Sequence, residues 1–132
     1  GFGFTAYGQT SDSQTLRIKI SNIQSPQGKI LLAVFDEAQK FPGEDMVAGK
    51  IELVTQSGEM TVVIEDLPFG EYAISIFHDE NSNHLLDSNL FKIPTEPYGF
   101  SNNARGRFGP PDFEAARVNF NRTQQAFEIR LK

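Results

Sequence analysis

A chain of 132 residues with net charge −5 has the length of a single domain, and a domain of this size typically buries about two-thirds of its unfolded surface, enough for a proper core. Its 12 Lys and Arg are scattered rather than clustered, which excludes nucleic acid as a partner, and no apolar run approaches the ~20 residues of a transmembrane helix. The absence of Cys excludes disulfides and thiolate metal sites and leaves the compartment undecided on that ground.

Residues 1–14 are expected to be a disordered or signal-peptide-proximal tail. They begin without Met, and Ala6-Tyr7-Gly8 has the small-x-small form of a secretory cleavage site, which points to a periplasmic or secreted protein. Residues 15–132 are expected to form one domain. In residues 15–23, Leu16, Ile18 and Ile20 alternate with Arg17, Lys19 and Ser21, the period of a strand with one buried and one wet face. Residues 29–35 are apolar on both parities, Ile30, Leu32 and Val34 against Leu31, Ala33 and Phe35, so both faces of a central strand should be covered. Pro42, Gly43 and Gly49 then break the period, giving a loop with one helical turn.

Strands are expected at 50–55 and 59–65, joined across Gln56-Ser57-Gly58 as a hairpin, with Met60, Val62 and Ile64 turned inward. The Pro68 and Gly70 turn feeds a strand over 71–78, where Tyr72, Ile74, Ile76 and finally His78 share one side. The connection over 79–113 is far longer than usual. It carries Leu85, Leu86, Leu90, Phe91, Ile93, Tyr98, Phe100, Phe108 and Phe113, enough apolar surface to make an ordered cap that covers the second face of strand 29–35. Strands at 117–120 and 125–131 complete an all-β, antiparallel, seven-stranded β-sandwich with one long ordered loop.

The chemistry sits at the start of that loop, His78-Asp79-Glu80-Asn81-Ser82-Asn83-His84-Leu85-Leu86-Asp87. Calcium loops draw oxygens from the first, third, fifth, seventh and ninth positions, here Asp79, Asn81, Asn83, the Leu85 carbonyl and Asp87. His84 stands where such loops have Gly, and Leu90 where they have an acid; Glu80, Glu96, Asp112 and Glu114 are the candidates to supply the missing carboxylate. With few negative ligands the expected dissociation constant is weak, on the order of 10⁻⁴ to 10⁻³ M. The competing reading is an Asx-rich turn bonded to its own backbone.

His78 and His84 with Asp79 or Asp87 have the ligand types for zinc but no regular zinc spacing. Ser101, His78 and Asp79 are the types a hydrolase needs, without a nucleophile turn. The run from Tyr98 to Phe108 joins aromatic planes, amides and guanidinium forks on a Gly-hinged loop. It makes His78, Tyr98, Phe100, Asn102, Arg105 and Arg107 candidates to bind a carbohydrate, carboxylate or peptide. Alternatively the aromatics only anchor the cap, and the two Arg pair with acids such as Asp112 and Glu96.

Residues 72–113, with Phe77-His78-Asp79-Glu80-Asn81, Leu86-Asp87, Ile93-Pro94, Tyr98-Gly99-Phe100-Ser101-Asn102-Asn103 and Phe108-Gly109-Pro110-Pro111, resemble a bacterial family of secreted proteins, the domain of unknown function 2141. The Leu67-Pro68-Phe69-Gly70-Glu71-Tyr72-Ala73 turn fits the same family, so the resemblance covers residues 15–120. It implies export across the inner membrane and implies no reaction. The turn is also similar to that of transthyretin-like (prealbumin-like) and adhesin B-type sandwiches, which implies that fold. Family members usually have Asn-Gly where this chain has Asn83-His84. The expectation is a non-enzymatic, envelope-associated binding module, with calcium holding the loop that presents the aromatic and Arg residues. The alternatives are a structural or assembly module without metal and a weak metal-dependent hydrolase.

Overall fold

Alternation of apolar and charged side chains produces the first strand, β1 (Leu16–Ile23), whose Leu16, Ile18 and Ile20 are fully buried while Arg17 and Lys19 face water. The computed structural model describes residues 14–43, 45–81, 96–107 and 109–132. β2 (Lys29–Phe35), β3 (Ala48–Leu53), β4 (Gly58–Ile64) and β5 (Gly70–Asp79) follow. After them come β6 (Tyr98–Phe100), a 3-10 turn over Ser101–Asn103, the helix α1 (Phe113–Ala116), β7 (Val118–Phe120) and β8 (Ala126–Arg130).

The strands form two sheets. The smaller has the order β4-β1-β8; the larger runs β3-β2-β5-β6, with β7 also paired to β5. Inward residues of both sheets share one core, Leu16, Ile18 and Ile20 facing Ile30, Leu32, Val34, Ile74 and Ile76. A second cluster lies on the other face of the larger sheet. Phe35 and Ala73 are covered there by Phe41, Phe113 and Ala116, and Phe41 stands edge-on to Phe35, Phe100 and Phe113 at 5.5, 5.8 and 6.2 Å.

Three expectations change. The strands are not all antiparallel: β8 runs parallel to β1. An Asn121 turn, whose Oδ1 accepts from Thr123 N, Thr123 Oγ1 and Gln124 N, carries the chain from β7 in one sheet to the far edge of β1 in the other. β3 and β4 are not a hairpin either; β3 pairs with β2 and β4 with β1. Between them Val54 is buried and donates to Gly28 O at 3.0 Å, so the chain crosses layers there instead of folding back. Finally, the 79–113 connection contains a strand of its own, β6, too short to show a period in the sequence.

Two side chains fix the corners of β5. Tyr72 Oη donates to Pro68 O at 2.6 Å and closes the turn before the strand. Burial, and then the Asp36 carboxylate, push the Tyr72 phenol above its usual value. Its contribution to stability is therefore present in full below about pH 10 and is lost as pH rises through the folded value. Ser101 is fully buried; its hydroxyl accepts from Ile74 N at 2.9 Å and donates to Ala116 O, tying the 3-10 turn to β5 and α1. Ser101→Ala strips a partner from two buried backbone groups and should lower unfolding free energy by about 1–3 kcal/mol, read from urea denaturation.

Candidate functional site

Successive strand residues point to opposite faces, so the register of the larger sheet states what its outer face carries. Lys29, Leu31 and Ala33 of β2 lie beside Leu53, Ile51 and Gly49 of β3 and beside Asp79, Phe77 and Ser75 of β5. β6 extends two of these rows, placing Tyr98 next to Phe77 and Phe100 next to Ser75. One row across the strands is thus bulky and apolar, Ile51-Leu31-Phe77-Tyr98. The next is small until its end, Gly49-Ala33-Ser75-Phe100. A trough follows from this difference in side-chain height.

The trough is the floor of an open cavity of about 820 Å³, walled on its other side by Phe35, Pro42, Met46 and Pro110. That volume lies in the range of small-molecule sites. Its rim exposes Met46 and Ile51 to 55% and 54%, a large apolar surface for a chain that is acidic overall. Met46 Sδ would stand 2.7 Å from a Cβ at position 49, so the absence of a side chain at Gly49 lets the thioether lie over that end. The expected cap therefore covers Phe35 but leaves Leu31 and Ala33 half-buried, facing the cavity.

Tyr98 and Phe100 also border a second pocket of about 70 Å³, shared with Asn103, Arg105, Arg130 and Lys132. It forms because the end of the chain lies along β6. Tyr98 N donates to Lys132 O at 3.2 Å, Lys132 N to Tyr98 O at 2.9 Å, and Arg130 N to Asn103 Oδ1 at 2.9 Å. Gly99 is required for this approach, since a Cβ there would lie 2.8 Å from Ile129 Cγ2 and 2.9 Å from Arg130 O. Arg105, Arg130 and Lys132 are exposed, and among the described residues none has an acidic partner; Lys19, Lys40 and Arg117 each have one.

The residues expected to bind ligand separate into two groups. Tyr98 and Phe100 border both cavities, and Arg105 borders the smaller one with them. His78 is fully buried near the end of β5, where Nε2 donates to Gln27 O at 2.6 Å and Nδ1 has no partner among the described residues. Asn102 takes positive φ and spends its amide on Ala115 O and Arg117 O at 3.2 and 2.8 Å. Arg107 is exposed and borders neither cavity. Nor does Arg105 pair with Asp112 or Glu96: Asp112 caps α1 through Ala115 N, and Glu96 accepts from Glu80 N at 2.8 Å.

Of the expected calcium ligands, Asp79 is fully buried at the end of β5 and Asn81 is exposed; Asn83, Leu85 and Asp87, with His84 and Leu90, lie outside the described residues. Glu96 is buried beside the loop root, while Glu114 pairs with Arg117 at 3.3 Å. Among the described residues no group of three His, Asp or Glu is gathered for a metal. Ser101 is bonded to Ile74, four residues before His78 along β5, which puts it roughly 13 Å away with its hydroxyl already engaged. His78 and Asp79, as neighbours on a strand, face opposite sides.

The sequence reading missed the trough floor and the two cations at the end of the chain. Both had a signal: small residues at Ala33 and Ser75 amid apolar ones, and the alternation that turns Arg130 outward from Ile129.

The family model described as "Uncharacterized protein conserved in bacteria (DUF2141)" matches residues 18–128 of the chain. No curated protein and no solved structure gives a significant match.

The root of the acidic loop is clamped by Gly28, at φ +76°, where a Cβ would fall 2.2 Å from Asp79 O. Gly28→Ala should cost about 1–3 kcal/mol in urea denaturation, whereas Gly43→Ala, which meets open space, should stay within about 0.5 kcal/mol.

Proposed function

We propose, for a chain that belongs to the uncharacterised bacterial family DUF2141, a non-enzymatic periplasmic or secreted binding module, a transthyretin-like β-sandwich whose outer sheet face takes an apolar ligand. The observation that carries this reading is the trough of Gly49, Ala33 and Ser75 between apolar walls, about 820 Å³ in volume. A ligand in it would remove the exposed Ile51 and Met46 from water at roughly 25 cal/mol per Å² buried. The rigid sheet beneath would keep the ordering cost low. Tyr98 and Phe100 supply aromatic planes at one end. This apolar character favours a hydrocarbon-bearing ligand over a carbohydrate. The location rests on the small-x-small motif at Ala6-Tyr7-Gly8.

A calcium ion at the loop root is a second element of the proposal, supported by the burial of Asp79 and Glu96 where the loop leaves β5. Its role would be structural. At about 10 mM calcium and the weak affinity expected, mass action gives about 1.4–2.7 kcal/mol and a rise in Tm on the order of 5 °C. Thermal unfolding after exhaustive chelation and re-addition should show this rise in the native chain and lose it in Asp79→Asn; an unchanged Tm rejects the ion.

The groove is tested with Nile red, an uncharged dye that brightens in apolar surroundings. Ser75→Phe fills the floor and should reduce dye binding at least tenfold while circular dichroism stays native. Equal binding by the native chain and the variant would overturn the reading.

A further inference from the structure

We propose that the ligand is a long-chain carboxylate, with its hydrocarbon chain lying in the trough and its carboxylate among Arg105, Arg130 and Lys132. This rests on the groove reading above and names the ligand class. The two cavities share Tyr98 and Phe100, so a molecule leaving the trough past β6 arrives directly at the basic pocket. The trough floor crosses three strands, β3, β2 and β5, and ends at Phe100 of β6; from Gly49 to Phe100 three inter-strand spacings make ~14 Å, the reach of a chain such as dodecanoate's.

Charge supplies the argument for the head group. In a protein of net charge −5 with 17 acidic residues, three cations that have no acidic partner among the described residues gather around one small pocket at the end of an apolar trough. Arg105 and Arg130 offer planar forks that match a carboxylate. The pocket, about 70 Å³, has room for a carboxylate.

The experiment is displacement of Nile red by dodecanoate and by dodecanol, below their aggregation limits, from the native chain and from Arg105→Gln/Arg130→Gln. Both substitutions are at exposed positions, and the bond to Asn103 Oδ1 is donated by the backbone N–H of residue 130, so it survives. Dodecanoate should bind the native chain at least tenfold more tightly than dodecanol, with a preference that shrinks as salt is added. In the double variant dodecanoate should fall to the level of dodecanol, which itself stays unchanged. Equal affinity of the two ligands for the native chain, or a preference that survives the double variant, overturns the carboxylate assignment and leaves the groove reading standing. Failure of both ligands and of the dye overturns the groove reading. Co-sedimentation with phosphatidylglycerol vesicles that excess dodecanoate does not compete away would assign the cations to a membrane surface and reject the proposal.

Discussion

The pairing of β2 with β5 runs without a bulge from Lys29 opposite Asp79 to Phe35 opposite Ala73. The two faces of the larger sheet are set by that register. It sends Ile30, Leu32, Val34, Ile74 and Ile76 into the shared core and leaves Leu31, Ala33, Ser75 and Phe77 on the other side. A slip by one residue would exchange the two sets, put Ser75 among the isoleucines and destroy the trough. The β2 segment, apolar on both faces, could tolerate such a slip; β5 could not, because its large Tyr72, Ile74 and Ile76 alternate with the small Ala73 and Ser75.

What locks the register lies at its ends. At one end Phe35 is held beneath Phe41 and Phe113, and at the other His78 reaches across to Gln27 O while Gly28 admits the backbone of Asp79 and Glu80. His78 is therefore a positioning residue. Its burial and the carbonyl it serves account for the Nε2 side of the ring at this strand end. Ser101 does the same for the other half of the chain, joining β5 to the helix that covers the aromatic cluster.

Much of this could be read from residue order alone, because period-two alternation reports burial directly. β1, β2, β5 and β8 lie close to the segments their patterns mark, and the anchoring role of the aromatics in the long connection shows in Phe100 and Phe113. The partners of β3 and β4 were not readable. The three-residue polar link Gln56-Ser57-Gly58 fits a hairpin and a crossing between layers equally, and only the burial of Val54 and its bond to Gly28 decide between them. The candidate site was half legible: Tyr98, Phe100 and Arg105 stand out locally, but Gly49, Ala33 and Ser75 come from three strands and become a surface only once those strands are in register. Lys132 joins the site by pairing with Tyr98 of β6, and Arg130 by its bond to Asn103 across 27 positions, both contacts between segments far apart in the chain.

β3 lies at the margin of the larger sheet, and its outer side displays Ile51 and Leu53, the combination that elsewhere invites another chain to add on. Its opposite side is different. Lys50 and Glu52 lie over the core-facing side, next to Leu32 and Ile30, and Lys50 Nζ stretches to Val63 O of β4 at 3.3 Å. An incoming strand would have to strip water from both charges to complete its ladder. The sheet can thus keep a greasy face open to solvent while its border resists templating further copies, which separates exposure of an apolar surface from the hazard of aggregation.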